Sequence, residues 1–177
     1  MPATVVRRTA DLDDAALVNV RELLDRAFAG DFADEDFAHA LGGVHALVHD
    51  EGRLVGHGLV VRRQLLHGGR TIRAGYVEAV AVAPDRRRQG IATAVMDALE
   101  ALIRTDHDLG ALSASEDGEG LYAARGWLRW EGPTSVLTPE GIRRTQEDDG
   151  SVFVLPGPVP LDPRGELTCD WREGDVW

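Results

Sequence analysis

The stretch Val77-Glu78-Ala79-Val80-Ala81-Val82-Ala83-Pro84-Asp85-Arg86-Arg87-Arg88-Gln89-Gly90-Ile91-Ala92 reads as a strand, a tight loop and the start of a helix. An anionic pyrophosphate needs several backbone N–H groups converging on it, and a helix N-terminus offers them with a favourable dipole. Gly90 and Ala92 are small enough to let an anion approach the backbone. Arg86, Arg87 and Arg88 add charge-assisted donors. A solvated helix start is the plainer reading of Arg-x-x-Gly-x-Ala, but a Val-rich strand leading into it favours the anion site. The chain has neither a Walker lysine loop nor a Gly-x-Gly-x-x-Gly run, which disfavours a nucleoside triphosphatase or a dinucleotide fold.

Upstream, Val5 to Thr9 reads as a strand and Leu12 to Phe28 as an amphipathic helix, with Asp11 as cap and Gly30 as stop. A short helix is expected at Asp34 to Leu41, ended by Gly42-Gly43. His45 to His49, Arg53 to Leu66 and Arg70 to Ala83 form an antiparallel meander, turning at Asp50-Glu51-Gly52 and His67-Gly68-Gly69. Downstream, a helix is expected from about Gln89 to Arg104, buried through Ile91, Val95, Ala98, Leu99, Leu102 and Ile103. A strand at Leu109 to Ala114, a short helix at Leu121 to Arg125, and strands at Trp127 to Trp130 and Ser151 to Leu155 follow. Residues 156–177 carry four prolines and read as an extension that wraps the body. The class is α/β with a mixed sheet, in one domain spanning 1–177.

Charge narrows the partners. The net charge of −11 argues against nucleic acid, and all 19 basic residues are arginine. Acids gather at Asp31, Asp34, Glu35 and Asp36, at Glu147, Asp148 and Asp149, and at Asp170, Glu173 and Asp175. These are either solvated loops or a rim that concentrates a cationic substrate. The apolar runs fall short of the roughly 20 residues of a membrane span. Met1 to Asp14 lacks the apolar core of a secretory leader, so a cytoplasmic protein is expected. A lone Cys169 allows no intrachain disulfide. The six histidines lack a clustered carboxylate or thiol set, and no metal is expected.

With those residues on the page, Arg87-x-x-Gly90-x-Ala92 after a Val-rich strand resembles motif A of the GNAT superfamily of N-acetyltransferases. Segments Phe28–Phe32, Leu41–Leu47, Gly75–Glu78, Leu121–Trp127 and Gly132–Leu137, and the tail Cys169–Trp177, resemble the aminoglycoside 2′-N-acetyltransferases nearly end to end. The resemblance implies a GNAT fold, with a meander, the motif-A strand–loop–helix and a splayed parallel strand pair. It implies acetyl-CoA as co-substrate, held by Val80, Val82, Arg87, Arg88, Gln89, Gly90, Ile91 and Ala92, with an arginine on the 3′-phosphate. It also implies a homodimer.

Acetyl transfer to an amine requires that the ammonium lose a proton, that the thioester oxygen be stabilised, and that the leaving thiolate gain a proton. Glu78 is the one acid in the apolar segment Tyr76 to Ala83. Alternation puts Tyr76, Glu78 and Val80 on one face unless a bulge shifts the register. Glu78 is either a solvent-facing sheet residue or, as the resemblance implies, the general base, acting directly or through water. The resemblance assigns the oxyanion donor to the Val80 N–H and the general acid to Tyr122, whose alternative is an aromatic packing role. It places Ser113 beside the substrate, and Asp31, Asp36, Asp148, Asp175 and Trp177 (through a terminal carboxylate) in an acidic acceptor pocket with Glu78. Residues 156–177 would thus contribute to the acceptor site. The implied acceptor is the 2′-amino group of an aminoglycoside, as in antibiotic resistance. A cellular amine such as an amino-sugar thiol or a polyamine is the alternative, and a non-catalytic acyl-CoA-binding module is a further one.

Overall fold

The computed structural model describes residues 2–177. They divide into two compact units, residues 2–61 with 77–102, and residues 62–76 with 103–177.

The first unit begins with β1 (Ala3–Arg8), α1 (Asp14–Ala27), α2 (Asp34–His39) and β2 (Val44–Asp50). It takes the first part of β3 (Arg53–His67), the second part of β4 (Arg70–Val82) and most of α3 (Ile91–Asp106). β1 pairs antiparallel with β2 from Ala3↔His49 to Arg8↔Val44. β2 pairs antiparallel with β3 from Val44↔Val60 to Asp50↔Arg53, with an irregularity at Val48/His49. α1 buries Val20, Leu23 and Leu24. α3 buries Ile91, Val95, Met96 and Leu99 here, each apolar side chain removed from water contributing about 1.5–3 kcal/mol. Two glycines set how closely α3 approaches. A Cβ at Gly56 would lie 2.4 Å from Ile91 Cγ2, and one at Gly58 would lie 2.8 Å from Val95 Cγ1. The start of α3 therefore lies directly on β3.

The second unit adds β5 (Leu109–Ser113), α4 (Glu116–Ala124), β6 (Leu128–Arg129), β7 (Thr134–Thr138), β8 (Gly141–Arg144), β9 (Val152–Leu155) and β10 (Leu167–Asp170). Its strand order is β6-β9-β5-β4-β3-β10-β7-β8. β4 and β5 are parallel, but their pairing runs only from Ala74↔Leu109 to Tyr76↔Ala111, whereas β4 continues to Val82. β10 lies parallel to β7 and antiparallel to β3. The sheet is mixed, as the sequence implies.

Three differences from the expected helix boundaries have local causes. α1 is capped by Asp13, whose Oδ1 accepts the Ala16 N–H at 2.8 Å, and not by Asp11, which lies in a preceding 3-10 turn. α3 starts at Ile91 rather than Gln89, because Arg88 (φ +60°) and Gly90 (φ +79°) are left-handed and cannot continue a right-handed helix. α4 starts five residues before Leu121, with Glu116, Asp117 and Glu119 at the positive end of its dipole. Its Gly118 makes room for the Tyr122 ring, which a Cβ would meet at 3.1 Å. The hairpin β7–β8 and the strand β10 inside the proline-rich tail are additions.

Candidate active site

The anion turn lies in the first unit, between a 3-10 turn at Pro84–Arg86 and α3. Three arginines were expected to serve it, and two are engaged by protein. Arg86 pairs with Asp50 at 2.8 Å. Arg87 donates from Nη2 to the Ala27 carbonyl at 2.9 Å. Arg53 and Asp85 form a two-pronged ion pair at 2.7 and 2.8 Å that braces the turn, and Arg53 holds the Asp85 carboxyl down at about 2. Arg88 is exposed, and makes no ion pair among the described residues. Left-handed Arg88 and Gly90 fold the loop back before α3, whose first amides have no partner within the helix. Ile91 is buried and Ala92 half-buried, so the small side chain stands where the backbone is approachable.

Along β4, strict alternation fails at one residue. Ala79 has φ +50°, a left-handed conformation inside a strand. Burial follows the break: Tyr76 and Val77 are both buried, then Glu78, Ala79 and Val80 are all half-exposed. The positive φ at Ala79 breaks the simple alternation from which Tyr76, Glu78 and Val80 were expected on one face. Val82, also assigned to the coenzyme, is half-exposed at the end of β4.

In the second unit, polar side chains join several of the assigned residues. Ser113 Oγ lies 3.2 Å from Ser151 Oγ, and Ser151 Oγ donates to the Asp148 carbonyl at 2.8 Å. Trp177 is buried, and its indole N–H donates to Thr145 Oγ1 at 3.0 Å. Asp175 Oδ1 accepts the Trp177 backbone N–H at 3.3 Å. Burial, reinforced by Asp175 and Glu147, pushes the Asp148 carboxyl up to about 6. Its neighbour Asp149 behaves oppositely: Arg144 at 2.8 Å and the Thr134 hydroxyl hold it well below the usual range. Of that acid trio, Asp148 is available to a cation and Asp149 is a strut. Tyr122 on α4 packs against Trp127 and Phe153, and burial pushes its phenol up to about 12. It stays protonated at neutral pH, as a proton donor must.

The tail is held by Arg63, which the sequence reading passed over. Its guanidinium donates to Asp170 Oδ1 (2.8 Å), the Asp170 carbonyl (2.6 Å) and the Val176 carbonyl (2.7 Å), and stands 4.8 Å over the Tyr76 ring. Arg172 reaches the Asp175 and Trp177 carbonyls. Thr145, Ser151 and Arg63 carried no motif; the basic residues facing a tail rich in Asp and Glu were the one available hint.

Asp31 is exposed in the loop after α1, and Asp36 caps α2 by accepting the Ala33 N–H at 3.2 Å. Asp34 accepts from Arg21 at 2.7 Å with its side chain 90% exposed, and Arg21 also pairs with Asp25 at 2.8 Å. A hollow of about 610 Å³ lined by Leu66, His67, Ile142, Asp162, Glu166 and Thr168 contains none of the assigned residues. Among the described residues, no three His, Cys, Asp or Glu side chains are grouped to hold a metal. No helix among them is long and apolar enough to cross a membrane.

A family model described as acetyltransferase (GNAT) domain matches residues 8–129, which include β4, the anion turn and α3. The chain belongs to the GNAT acetyltransferase family. Among its GNAT relatives, a protein named aminoglycoside 2′-N-acetyltransferase from Mycolicibacterium fortuitum is 54% identical over 173 residues, 96% of this chain and 89% of that one. A GNAT family acetyltransferase from Brucella melitensis, solved in complex with acetyl-CoA, superposes with a TM-score of 0.60 at 16% identity, covering 93% of this chain and 94% of that one. Eis1 from Mycobacterium abscessus superposes with a TM-score of 0.61 at 22% identity, where 75% of this chain covers 33% of that one. Within the GNAT pattern, the Ala79 turn falls on the motif-A strand, beside the two residues given chemical roles.

Proposed function

We propose that this GNAT enzyme transfers the acetyl group of acetyl-CoA to the 2′-amino group of aminoglycosides. The reading draws its main support from the similarity to the Mycolicibacterium fortuitum protein, which extends over 173 residues, well beyond the family core at 8–129. Added to it is the cluster of Ser113, Asp148, Asp175 and Trp177, polar and acidic as a polyamine ligand requires.

Under this reading the turn at Arg87 to Ala92 takes the pyrophosphate on the α3 amides, and Arg88, the uncommitted arginine, takes the 3′-phosphate. Glu78 accepts a proton from the substrate ammonium, directly or through water. The free amine attacks the thioester carbon, and the developing oxyanion accepts from the Val80 N–H. The C–S bond then breaks, Tyr122 gives its proton to the coenzyme A thiolate, and the second proton of the attacking nitrogen passes to the Tyr122 phenolate, leaving the neutral amide. Asp31, Asp36, Asp148, Asp175 and Trp177 receive the other ammonium and hydroxyl groups.

Acetylation of gentamicin or tobramycin, with the modified nitrogen assigned by NMR, tests the reaction. Acetylation at the 2′ nitrogen is expected, with kcat/KM well above that for spermidine. Preference for the polyamine would transfer the assignment to a cellular amine. Deleting Trp177 should lower aminoglycoside kcat/KM, and an unchanged value would remove Trp177 from the acceptor site.

A further inference from the structure

The interior of the first unit contains two histidines that the proposed chemistry does not use. His45 on β2 is 1% exposed and His57 on β3 is 0% exposed. Their rings join through His45 Nδ1 and His57 Nε2 at 2.9 Å. His57 Nδ1 lies 2.8 Å from the Ala79 carbonyl oxygen, and His45 Nε2 lies 2.8 Å from Thr9 Oγ1. Thr9 Oγ1 accepts the backbone N–H groups of Gly42 at 3.0 Å and Gly43 at 3.2 Å.

One end of this chain fixes every proton in it. A carbonyl oxygen only accepts, so His57 Nδ1 carries a hydrogen. Burial pushes His57 down to about 3 and His45 down to about 4, so both rings are neutral at pH 7. His57 Nε2 is then bare and accepts from His45 Nδ1–H. His45 Nε2 is bare in turn and accepts the Thr9 hydroxyl hydrogen at 2.8 Å, the Gly43 carbonyl at 3.2 Å being the longer competing acceptor. The bonds run in one direction, from the Gly42-Gly43 turn to the Ala79 carbonyl, and such chains polarise each successive member.

The receiving peptide is the informative part. The Ala79 carbonyl and the Val80 N–H belong to one planar amide, and no cis bond occurs among the described residues. In a trans amide the two groups point in opposite directions. A donor locked onto the carbonyl therefore fixes where the N–H points and increases its positive character. That amide follows Ala79 at φ +50°, a conformation unfavourable for a non-glycine residue that needs support from its surroundings.

We propose that the His45–His57 pair is a positioning device that holds the Ala79–Val80 peptide and aims the Val80 N–H. Its use in catalysis rests on the reading of that N–H as the oxyanion donor. Neither histidine touches substrate. They act through the backbone, and their anchor is the Gly42-Gly43 turn between α2 and β2.

Nitrogen-15 spectra of the histidine-labelled enzyme test the device without any substrate. Both rings should be neutral with hydrogen on Nδ1; hydrogen on Nε2 of His57 would overturn the proposal. His57→Leu should move the Val80 amide signal and accelerate its exchange, and His57→Asn, whose amide can donate from the Nδ1 position, should restore it. An unmoved Val80 signal in a folded His57→Leu enzyme also overturns it. In turnover, His57→Leu should lower kcat by about 10- to 100-fold with acetyl-CoA KM within about threefold, and His57→Asn should recover most of the loss. If the spectra behave as expected and kcat does not change, the device stands and Val80 loses its role as oxyanion donor.

Discussion

The indole N–H of Trp177 donates to the hydroxyl of Thr145 across 3.0 Å, and both residues are almost fully buried. Through that bond the tail is seated beside the turn that carries Asp148. Thr145→Val keeps the shape and removes the acceptor, leaving a buried N–H unsatisfied at a cost of about 1–3 kcal/mol. Aminoglycoside KM should rise while acetyl-CoA KM does not. A variant with both constants unchanged would show that the tail seats itself without this bond.

Under the proposed function, Asp148 gives the acceptor site a pH dependence whose sign follows from its raised carboxyl. Its folded value of about 6 lies above the ordinary carboxylate value of 3.8 because burial, then Asp175, oppose the charged form. A cationic acceptor needs that charge, so affinity should improve as pH rises through about 6. Folding responds in the opposite sense: the native state holds more protons than the unfolded chain between these values, so stability declines as pH rises across that window. Asp148→Asn should weaken binding at neutral pH and flatten both trends. Calorimetric titration at several pH values, alongside thermal melts, reads both.

Arg63 joins β3 to the tail with three hydrogen bonds from a nearly buried guanidinium. A lysine cannot reproduce that fork. Arg63→Ala removes one partner of a partly buried ion pair, and a loss of about 3 kcal/mol is expected. For a chain of this size that is a melting temperature lower by roughly 6–12 °C. A shift of about a degree would mean the tail is held elsewhere.

The neutral histidine pair makes the fold sensitive to acid. His45 and His57 are depressed to about 4 and about 3, whereas an unfolded histidine titrates near 6.5. Below that value the unfolded chain takes protons that the native state refuses, so stability falls with falling pH toward about 4. The limiting slope is about 1.4 kcal/mol per pH unit for each histidine. His57→Asn should remove about half of it, as measured by urea unfolding at pH 7 and 5. Equal slopes in the two proteins would mean that His57 is protonated in the native state.

Much of the fold could be read because its signals are local. Gly90 takes a positive φ at the end of its loop, and the Val-rich run Val77–Ala83, short and closed by Pro84, reads as strand. The failures involve distant partners. Ala79 is an ordinary strand residue in sequence, and its left-handed turn is supported by His57, 22 positions away. Asp148 and Asp149 are adjacent and chemically identical, yet Arg144 and Thr134 separate their behaviour. Thr145 stands in no pattern, and its role exists only once Trp177 arrives. The strand at Leu167–Asp170 was hidden by prolines on its N-terminal side, and sheet neighbours settled its conformation.

The placement of β10 has a consequence for how the polypeptide is assembled. β10 alone joins β7 to β3, with Leu66 facing Thr168 and Thr134 facing Leu167. Residues 134–144 precede residues 167–170 in the chain and pair locally, so the β7–β8 hairpin forms with one edge open until the more distant tail strand docks. Joining β3 to β10 closes a loop of about a hundred residues, the kind of distant pairing that slows folding. During that interval the folding chain exposes an unpaired edge, which is where a chaperone would bind and where premature self-association would begin.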